Sequence, residues 1–561
     1  MRQDELVTDV VPGLVVQPAA WIVADPDSSG KSIVAERASD SVFLDQYFST
    51  KLQFGTAGLR APRGVGPSHM NRVTVRVTAR AIGLHLLDLG LARSGVVIGY
   101  DARPDSDIYA LDTALLLTAL KIPCLLIDDP CPTPVVVWHQ KMRTAAGAIV
   151  VTASHNPAPD SGYKVYGPDG SQIRPPEDRK IESLMNFSHL PDDEDLASVD
   201  EVEFLSGDEA IAAYIEAVIP SSNQRDPRSD FPHWVYSPLC GVGGATMEAA
   251  CFRAGIPSPV RVNNQFEPDG SFPGLPFPNP EEPGVLDAAY SVADKANAPL
   301  VVANDPDADR LAVAVRTDLG WHQLTGDELG LLLCDHQLSK TSGENRLTAS
   351  SFVSSEAVGT LCAAHGVEHV RTLTGFKWIM EPAVSLSDSN WIFGYEEALG
   401  YSVNDLVLDK DGIAAAITFL EMWYELNSRG TDPLARLDEL ALEIGLYVTT
   451  QVSGQFEAVA IEATLNNLRI NPPTDLMGSP IVAVTDWSTL PDPFSANLLE
   501  FRSDAGVRMA IRPSGTEPKV KIYLEQVIAN PRGNLRNLRA DSHKHLDSLG
   551  RTTLAWFEID T

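Results

Sequence analysis

Short apolar runs of strand length alternate with stretches of helical periodicity along this chain, and the alternation starts afresh twice. Val73 to Leu91 has helical spacing, and Gly95-Val-Val-Ile-Gly-Tyr-Asp101 reads as a buried strand. Ile108 to Leu120 follows as a helix, Leu125-Leu-Ile127 as a strand, Pro134 to Lys141 as a helix and Ala148-Ile-Val-Val151 as the next strand. The pattern restarts at Trp234, where a strand, a glycine turn and a helix lead on to the strand Pro299-Leu-Val-Val-Ala303. A further start near Gly326 gives a helix through Leu333, the strand Ser351-Phe-Val-Ser354 and a helix from Val358 to Ala364. Such alternation is satisfied by sheets, mainly parallel, with helices packed on their faces. From about Thr449 the rhythm changes, and Val507–Ile511 and Val520–Leu524 read as strands of an α+β domain. The expected fold class is therefore α/β: three α/β domains with mixed, mainly parallel sheets, plus a C-terminal α+β domain. A chain of 561 residues is too long for one core, which agrees. The expected division is a helical lead-in over 1–50 and domains over 51–220, 221–325, 326–447 and 448–561.

In open α/β sheets ligands gather where strands end at their carboxyl edge, so what each apolar run empties into is informative. Ala148-Ile-Val-Val151 runs into Thr152-Ala-Ser-His-Asn-Pro157, which exposes a hydroxyl and an imidazole at a strand end. The plain alternative is a turn whose Ser and Asn satisfy local backbone donors. Pro299-Leu-Val-Val-Ala303 empties into Asn304-Asp-Pro-Asp-Ala-Asp-Arg310. Asp305, Asp307 and Asp309 fall at every second position, so in an extended segment they point the same way and offer three hard oxygen ligands. A calcium hand is excluded, because Arg310 stands where its glycine belongs and Arg316 where its glutamate belongs. Mg²⁺, held by a few carboxylates and completed by phosphate oxygens, suits the set better. The plain alternative is a solvated acidic turn.

Cationic partners for an anionic ligand are present. Leu52-Gln-Phe-Gly-Thr-Ala-Gly-Leu-Arg60 is a glycine-rich loop ending in a guanidinium, or else a plain hairpin turn. Arg512-Pro-Ser-Gly-Thr516 combines a guanidinium, two hydroxyls and an approachable backbone, the equipment for gripping a phosphate, though also ordinary turn chemistry. Lys164 is a candidate general base if desolvation and cationic neighbours lower its pKa, and otherwise a surface lysine. Other schemes fail on inspection. Ser154 has no G-x-S-x-G frame and the chain has no G-x-x-x-x-G-K-[ST] loop, so a hydrolase elbow and a P-loop are excluded. The glycines of Trp234 to Thr246 make only an imperfect dinucleotide fingerprint, with Thr246 in the third glycine's place.

The formal charge of −32 argues against nucleic acid or an anionic membrane as partner. The N-terminus lacks the apolar core of a signal peptide, and no apolar run is long enough to span a bilayer. Six cysteines without C-x-x-C pairs or framework spacing read as reduced thiols, so a cytoplasmic location is expected.

Taken in order, these motifs resemble the α-D-phosphohexomutase family (phosphoglucomutase/phosphomannomutase). Thr152-Ala-Ser-His-Asn-Pro157 is similar to its phosphoserine loop and Asp305-Pro-Asp-Ala-Asp-Arg310 to its metal loop. Gly394-Tyr-Glu-Glu-Ala-Leu-Gly-Tyr401 resembles its sugar-binding loop and Arg512-Pro-Ser-Gly-Thr-Glu-Pro-Lys519 its phosphate-binding loop. Phe54-Gly-Thr-Ala-Gly-Leu-Arg60 and Thr374-Gly-Phe-Lys-Trp378 look most like the phosphoglucomutase-2/phosphopentomutase branch. The resemblance implies four domains around a central cleft, one loop from each. It implies a phosphoserine at Ser154, a sugar bisphosphate that serves as intermediate and activator, and one Mg²⁺ per chain held by Ser154, Asp305, Asp307 and Asp309. His155, Lys164, Arg60 and Arg310 match catalytic positions. Lys377, Glu396, Glu397, Arg512, Ser514, Gly515 and Thr516 match substrate-binding ones. One departure concerns the sugar: many members carry Glu-x-Ser where this chain reads Glu396-Glu-Ala398, so a hydroxyl is missing. The expected activity is interconversion of hexose 1-phosphate and hexose 6-phosphate, glucose or mannose, by a monomer or homodimer whose partner is a small sugar phosphate. The alternatives are a phosphopentomutase and a non-catalytic sugar-phosphate-binding paralogue.

Overall fold

A computed structural model describes residues 12–55, 58–219, 231–386, 388–491, 494–514 and 519–558. The chain divides into two units: residues 1–323 with 400–417, and residues 324–399 with 418–561. In the first, the described part of the lead-in carries the helices Pro18–Ala24, Ser28–Arg37 and Ser41–Phe48. They bury Trp21, Val34, Phe43 and Phe48 in the same apolar cluster as Val73, Val77 and Ile98, so the lead-in shares the core of the domain that follows.

That domain is built on a six-stranded sheet. Gly147–Val151 lies parallel to Val96–Tyr100, which pairs in parallel with Cys124–Ile127. The continuous Val-Ile runs are explained by burial on both faces, since every residue of Val96–Tyr100 and Gly147–Val151 is buried. The edge departs from the parallel pattern: Asp160–Tyr166 turns back antiparallel to Gly147–Val151, and Leu59–Pro62 pairs antiparallel to it. Gly162 sits where the serine loop crosses this strand, and a Cβ there would meet the Thr152 carbonyl at 2.4 Å. The helix Arg72–Asp88 starts where Asn71 accepts the amide of Thr74 at 2.8 Å.

The second sheet sets Leu300–Ala303 parallel to Trp234–Ser237, with Ala312–Thr317 returning antiparallel. The imperfect nucleotide fingerprint now has another purpose. A Cβ on Gly241 would meet Pro306 Cα at 2.3 Å, and the Val242 amide donates to the Pro306 carbonyl at 2.9 Å. Its glycine lets the acidic loop pass.

In the second unit, Gly326–Lys340 opens on a capping box between Thr325 and Glu328. Arg346–Ser351 pairs in parallel with Glu368–Thr372 and with Asn390–Glu396. The strand expected at Ser351–Ser354 is thus misplaced. Phe352 and Val353 lie past the strand end and fill a cluster with Leu373, Trp378, Leu498 and Tyr523; their apolar character serves packing between sheets. The last sheet is antiparallel, running Leu446–Gln455, Lys519–Ile528, Val507–Pro513, Leu499–Ser503 and Ser479–Asp486, backed by the helix Leu535–Leu554. An ionic seam joins it to the parallel sheet. Arg502 grips Glu356 through both nitrogens at 2.9 and 2.5 Å, and Arg508 donates at 2.7 Å to the carbonyls of Phe352 and Ser354. No helix among the described residues is long and apolar enough to cross a membrane.

Candidate active site

In the first unit the serine loop and the acidic loop meet. Ser154 follows Gly147–Val151 with φ +51°, a left-handed conformation that costs a side-chain-bearing residue energy and is held by surrounding bonds. Its amide donates to Thr152 Oγ1 at 2.8 Å. Its hydroxyl donates to Asp305 Oδ2 at 2.9 Å and lies 3.0 Å from His155 Nδ1. The side chain is buried.

The three aspartates converge for a different reason from the one expected. They lie in a turn closed by the Ala308 amide on the Asp305 carbonyl at 2.9 Å, with Ala308 at φ +56°; the chain turns its carboxylates together instead of alternating them along a strand. One oxygen from each of Asp305, Asp307 and Asp309 lies within 4.8 Å of the others, and all three residues are buried. Asp307 Oδ1 and Asp309 Oδ1 are buried with no hydrogen-bond partner among the described residues. Three converging hard oxygens with unsatisfied atoms fit one divalent cation.

The plain alternative for Lys164, a surface lysine, is ruled out by its burial. The residue is fully buried, and its Nζ donates at 2.6 Å to Asp307 Oδ2 and at 2.6 Å to Asp309 Oδ2. Burial works against its charge, but the Asp307 and Asp309 carboxylates outweigh it and raise its pKa above the ordinary lysine value. The lowering on which a general base would depend is therefore not met. The same pairing counts for Asp307: burial opposes its charge, yet Lys164 and the Thr133 hydroxyl hold its pKa well below the usual carboxylate range. Burial, then Asp307 and Asp309, push Asp305 the other way. Burial, together with Arg310, Arg60 and Lys164, drives the pKa of His155 well below the usual histidine value, so the imidazole is neutral.

Arg60 donates to Asn156 Oδ1 at 3.1 Å, and its Nε is buried without an acceptor among the described residues. Arg310 pairs with Glu281 at 3.1 Å and its amide donates to Asp305 Oδ1 at 3.0 Å. Ser154, His155, Lys164, Arg60, Arg310 and the aspartates are thus brought into one cluster. Sequence reasoning missed two members. Thr133 Oγ1 donates to Asp307 Oδ2 at 2.8 Å, and Lys410 Nζ lies 3.4 Å from Asp309 Oδ2. Lys410 had a signal: Asp409-Lys-Asp411 interrupts apolar sequence between Leu408 and Ile413, and all three charges are buried.

The other expected residues belong to the second unit. Glu396 ends the strand Asn390–Glu396, buried, and Lys377 is buried in Phe376–Ile379. Glu397 Oε2 accepts from Ser351 at 3.0 Å and Ser354 at 3.2 Å. Burial, then Asp327, raise its pKa against the pull of Lys521. Arg512 is half-buried on Val507–Pro513, and the Ser514 amide donates to the Lys519 carbonyl at 2.7 Å. Gly515 and Thr516 lie outside the described residues, as do Thr56 and Ala57 of the glycine-rich loop.

Comparison with known proteins agrees across the chain. Residues 51–189, 212–320 and 325–440 match the alpha/beta/alpha domains I, II and III of phosphoglucomutase/phosphomannomutase, and 467–529 match its C-terminal domain. A Haemophilus influenzae protein named "Probable phosphomannomutase" is 38% identical, over 81% of this chain and 93% of its own. A mouse phosphopentomutase is 33% identical, over 92% and 90%, and a Staphylococcus epidermidis phosphoglucomutase 29%, over 90% and 95%. The open form of Paramecium parafusin, a phosphoglucomutase, shares the fold with a TM-score of 0.67 at 18% identity, covering 91% of this chain and 96% of its own. The chain belongs to the phosphoglucomutase/phosphomannomutase family and is a mutase, an intramolecular phosphotransferase.

Proposed function

We propose that the enzyme interconverts hexose 1-phosphate and hexose 6-phosphate, with glucose or mannose as the sugar, through a phosphoserine at Ser154. The observation that carries this reading is the buried Ser154 hydroxyl set between His155 Nδ1 and Asp305 Oδ2 at 3.0 and 2.9 Å. Phosphoserine gives its phosphoryl group to the free hydroxyl of a bound sugar monophosphate, forming a bisphosphate as the bond to the Ser154 oxygen breaks, and the proton lost by that hydroxyl is made up on the freed Ser154 oxygen. The bisphosphate turns over in the site and returns its other phosphate to Ser154, whose proton the neutral His155 takes at Nδ1. Lys164, charged, fills the acid half of its expected role. Arg60 and Arg310 oppose the charge spread over the transferring oxygens. Asp305, Asp307, Asp309 and a Ser154 oxygen would hold Mg²⁺, which when bound offsets charge on the phosphoryl group. Arg512, Ser514, Gly515 and Thr516 would hold the phosphate that is not reacting, with Glu396, Glu397 and Lys377 on the sugar. Burial of the serine supports transfer to sugar over transfer to water. The six thiols are free and buried, in keeping with a cytoplasmic enzyme.

A second reading, a phosphopentomutase, is favoured by Ala398, which lacks the hydroxyl expected beside a hexose, and by relatives named phosphopentomutase and "Probable phosphoribomutase". Initial rates on glucose, mannose and ribose 1-phosphates, each with Mg²⁺ and a trace of the matching bisphosphate, separate the two. A kcat/KM highest for a hexose supports the first reading, and one highest for ribose replaces it with the second. Ser154→Ala is expected to abolish turnover while leaving sugar-phosphate binding intact; substantial residual turnover would remove the phosphoserine.

A further inference from the structure

Arg103, just past the strand Val96–Tyr100, touches neither metal ligand nor nucleophilic hydroxyl, yet three of its four side-chain hydrogen bonds go to carbonyls of the serine loop and the fourth to Asp160 just after it. Nη2 donates to the carbonyls of Ser154 at 2.7 Å and Asn156 at 2.6 Å. Nη1 donates to those of Pro157 at 2.8 Å and Asp160 at 3.1 Å. The guanidinium is itself gripped. Its Nε lies 3.2 Å from Asp101 Oδ2, and its plane rests on the Phe272 ring 4.8 Å from the centroid. Asp101 is fixed by the Arg103 amide at 3.0 Å and the Ser106 hydroxyl at 2.8 Å. Arg103, Asp101, Ser106, Phe272 and Ser154 are buried, while Asn156, Pro157 and Asp160 are half-buried.

Four carbonyls gathered on one side, three from the serine loop and one from Asp160 at the start of the next strand, repel each other unless a donor with a matching spread of hydrogens holds them. A planar fork does this and a lysine, with its three donors at one point, does not. The Ser154 carbonyl is the one whose direction is set by the residue's left-handed backbone. Holding that carbonyl inward turns the side chain of the same residue toward Asp305 and His155. We propose that Arg103 is the positioning residue of the phosphoryl-carrying serine: it fixes the left-handed turn that aims the Ser154 oxygen. This rests on Ser154 as the carrier.

The test uses the full-length enzyme with Mg²⁺, and compares wild type, Arg103→Lys, Arg103→Ala, Phe272→Leu and Ser154→Ala. For each, kcat, KM, melting temperature and phosphorylation of Ser154 after incubation with glucose 1,6-bisphosphate (by intact mass) are measured. A misplacement near 1 Å costs about a hundredfold in rate, so Arg103→Lys is expected to lose about a hundredfold in kcat per folded molecule. Its KM should stay within about threefold, since sugar binding is untouched. Serine phosphorylation should slow in proportion to kcat, and guanidinium ion should restore part of the loss in Arg103→Ala. Should both Arg103 variants fail to fold, Phe272→Leu, which loosens the fork without removing a donor, is expected to lower kcat about fivefold at unchanged KM. Wild-type kcat per folded molecule in Arg103→Lys, or in Phe272→Leu if that variant alone folds, overturns the inference. Turnover surviving in Ser154→Ala overturns instead the phosphoserine reading, so the two failures are distinct.

Discussion

Replacing Lys164 by methionine tests whether the acidic loop is an ion-paired structure or a cation site waiting on a counter-charge. Methionine keeps the volume of the aliphatic stem and removes the ammonium that donates at 2.6 Å to both Asp307 and Asp309. Taking one partner from a buried charge cluster costs about 3–5 kcal/mol. Lys410 remains 3.4 Å from Asp309 and Thr133 still serves Asp307, which points to the lower end, about 3 kcal/mol. At about 2 °C per kcal/mol for a large unit, the melting temperature in EDTA should fall by about 6 °C. Mg²⁺ has the opposite effect. At about a hundred times its Kd it adds about 2.7 kcal/mol to wild type. In Lys164→Met the carboxylates no longer share themselves with an ammonium, so affinity rises and the same Mg²⁺ concentration adds more. The assay is thermal unfolding of both proteins in EDTA and across a Mg²⁺ series. Equal stability in EDTA, or an equal Mg²⁺ increment in both proteins, would refute the account of Lys164 as the counter-charge of this loop.

Three further outcomes are expected. Arg512→Ala should raise KM about 10- to 150-fold with kcat little changed, as loss of a charged hydrogen bond worth about 1.5–3 kcal/mol predicts; an unchanged KM in steady-state kinetics takes that loop out of the site. Glu356 has its carboxyl held at about 2 instead of 4.5, because the Arg502 hydrogen bond and the charges of Arg508 and Arg371 outweigh its burial. A lowered folded pKa gives stability that is present above pH 4.5 and lost as pH falls to about 2. Glu356→Gln should remove on the order of 3 kcal/mol of that dependence, read from urea midpoints across this window, and an identical pH profile in wild type and variant would contradict it. Ala398→Ser, which supplies the hydroxyl absent from the sugar loop, should raise kcat/KM for hexose over ribose phosphates; an unmoved ratio separates that position from sugar choice.

Much of this was legible in sequence because it is local. An apolar strand stopping at Thr152 or Asn304 announces a loop at a carboxyl edge, and the serine and aspartates are contiguous within those loops. What was not legible depends on partners far away in the chain. Lys164 reads as a surface residue until Asp307 and Asp309, more than 140 positions on, close over it. The run Phe352-Val353 has strand composition, yet it fills a cluster with Leu498 and Tyr523 that periodicity cannot register. Arg103 gave no signal, since its work is done on backbone carbonyls, which no sequence pattern marks.

The return of residues 400–417 to the first unit has a consequence for how the protein is made. Those residues supply Lys410 beside Asp309, the Asp411 carboxylate that takes the Tyr214 hydroxyl at 2.8 Å, and the bridge between Gly400 and Arg310. A ribosome that has finished residue 323 has therefore delivered every aspartate of the acidic loop but not the lysine that helps to balance it. At about 5–20 residues per second the missing segment arrives about 5–20 s later, after the 324–399 stretch of the other unit has emerged. The nascent first unit must wait through that interval with its acidic loop incompletely neutralised. Gene fragments ending near residue 323 should inherit the same defect permanently.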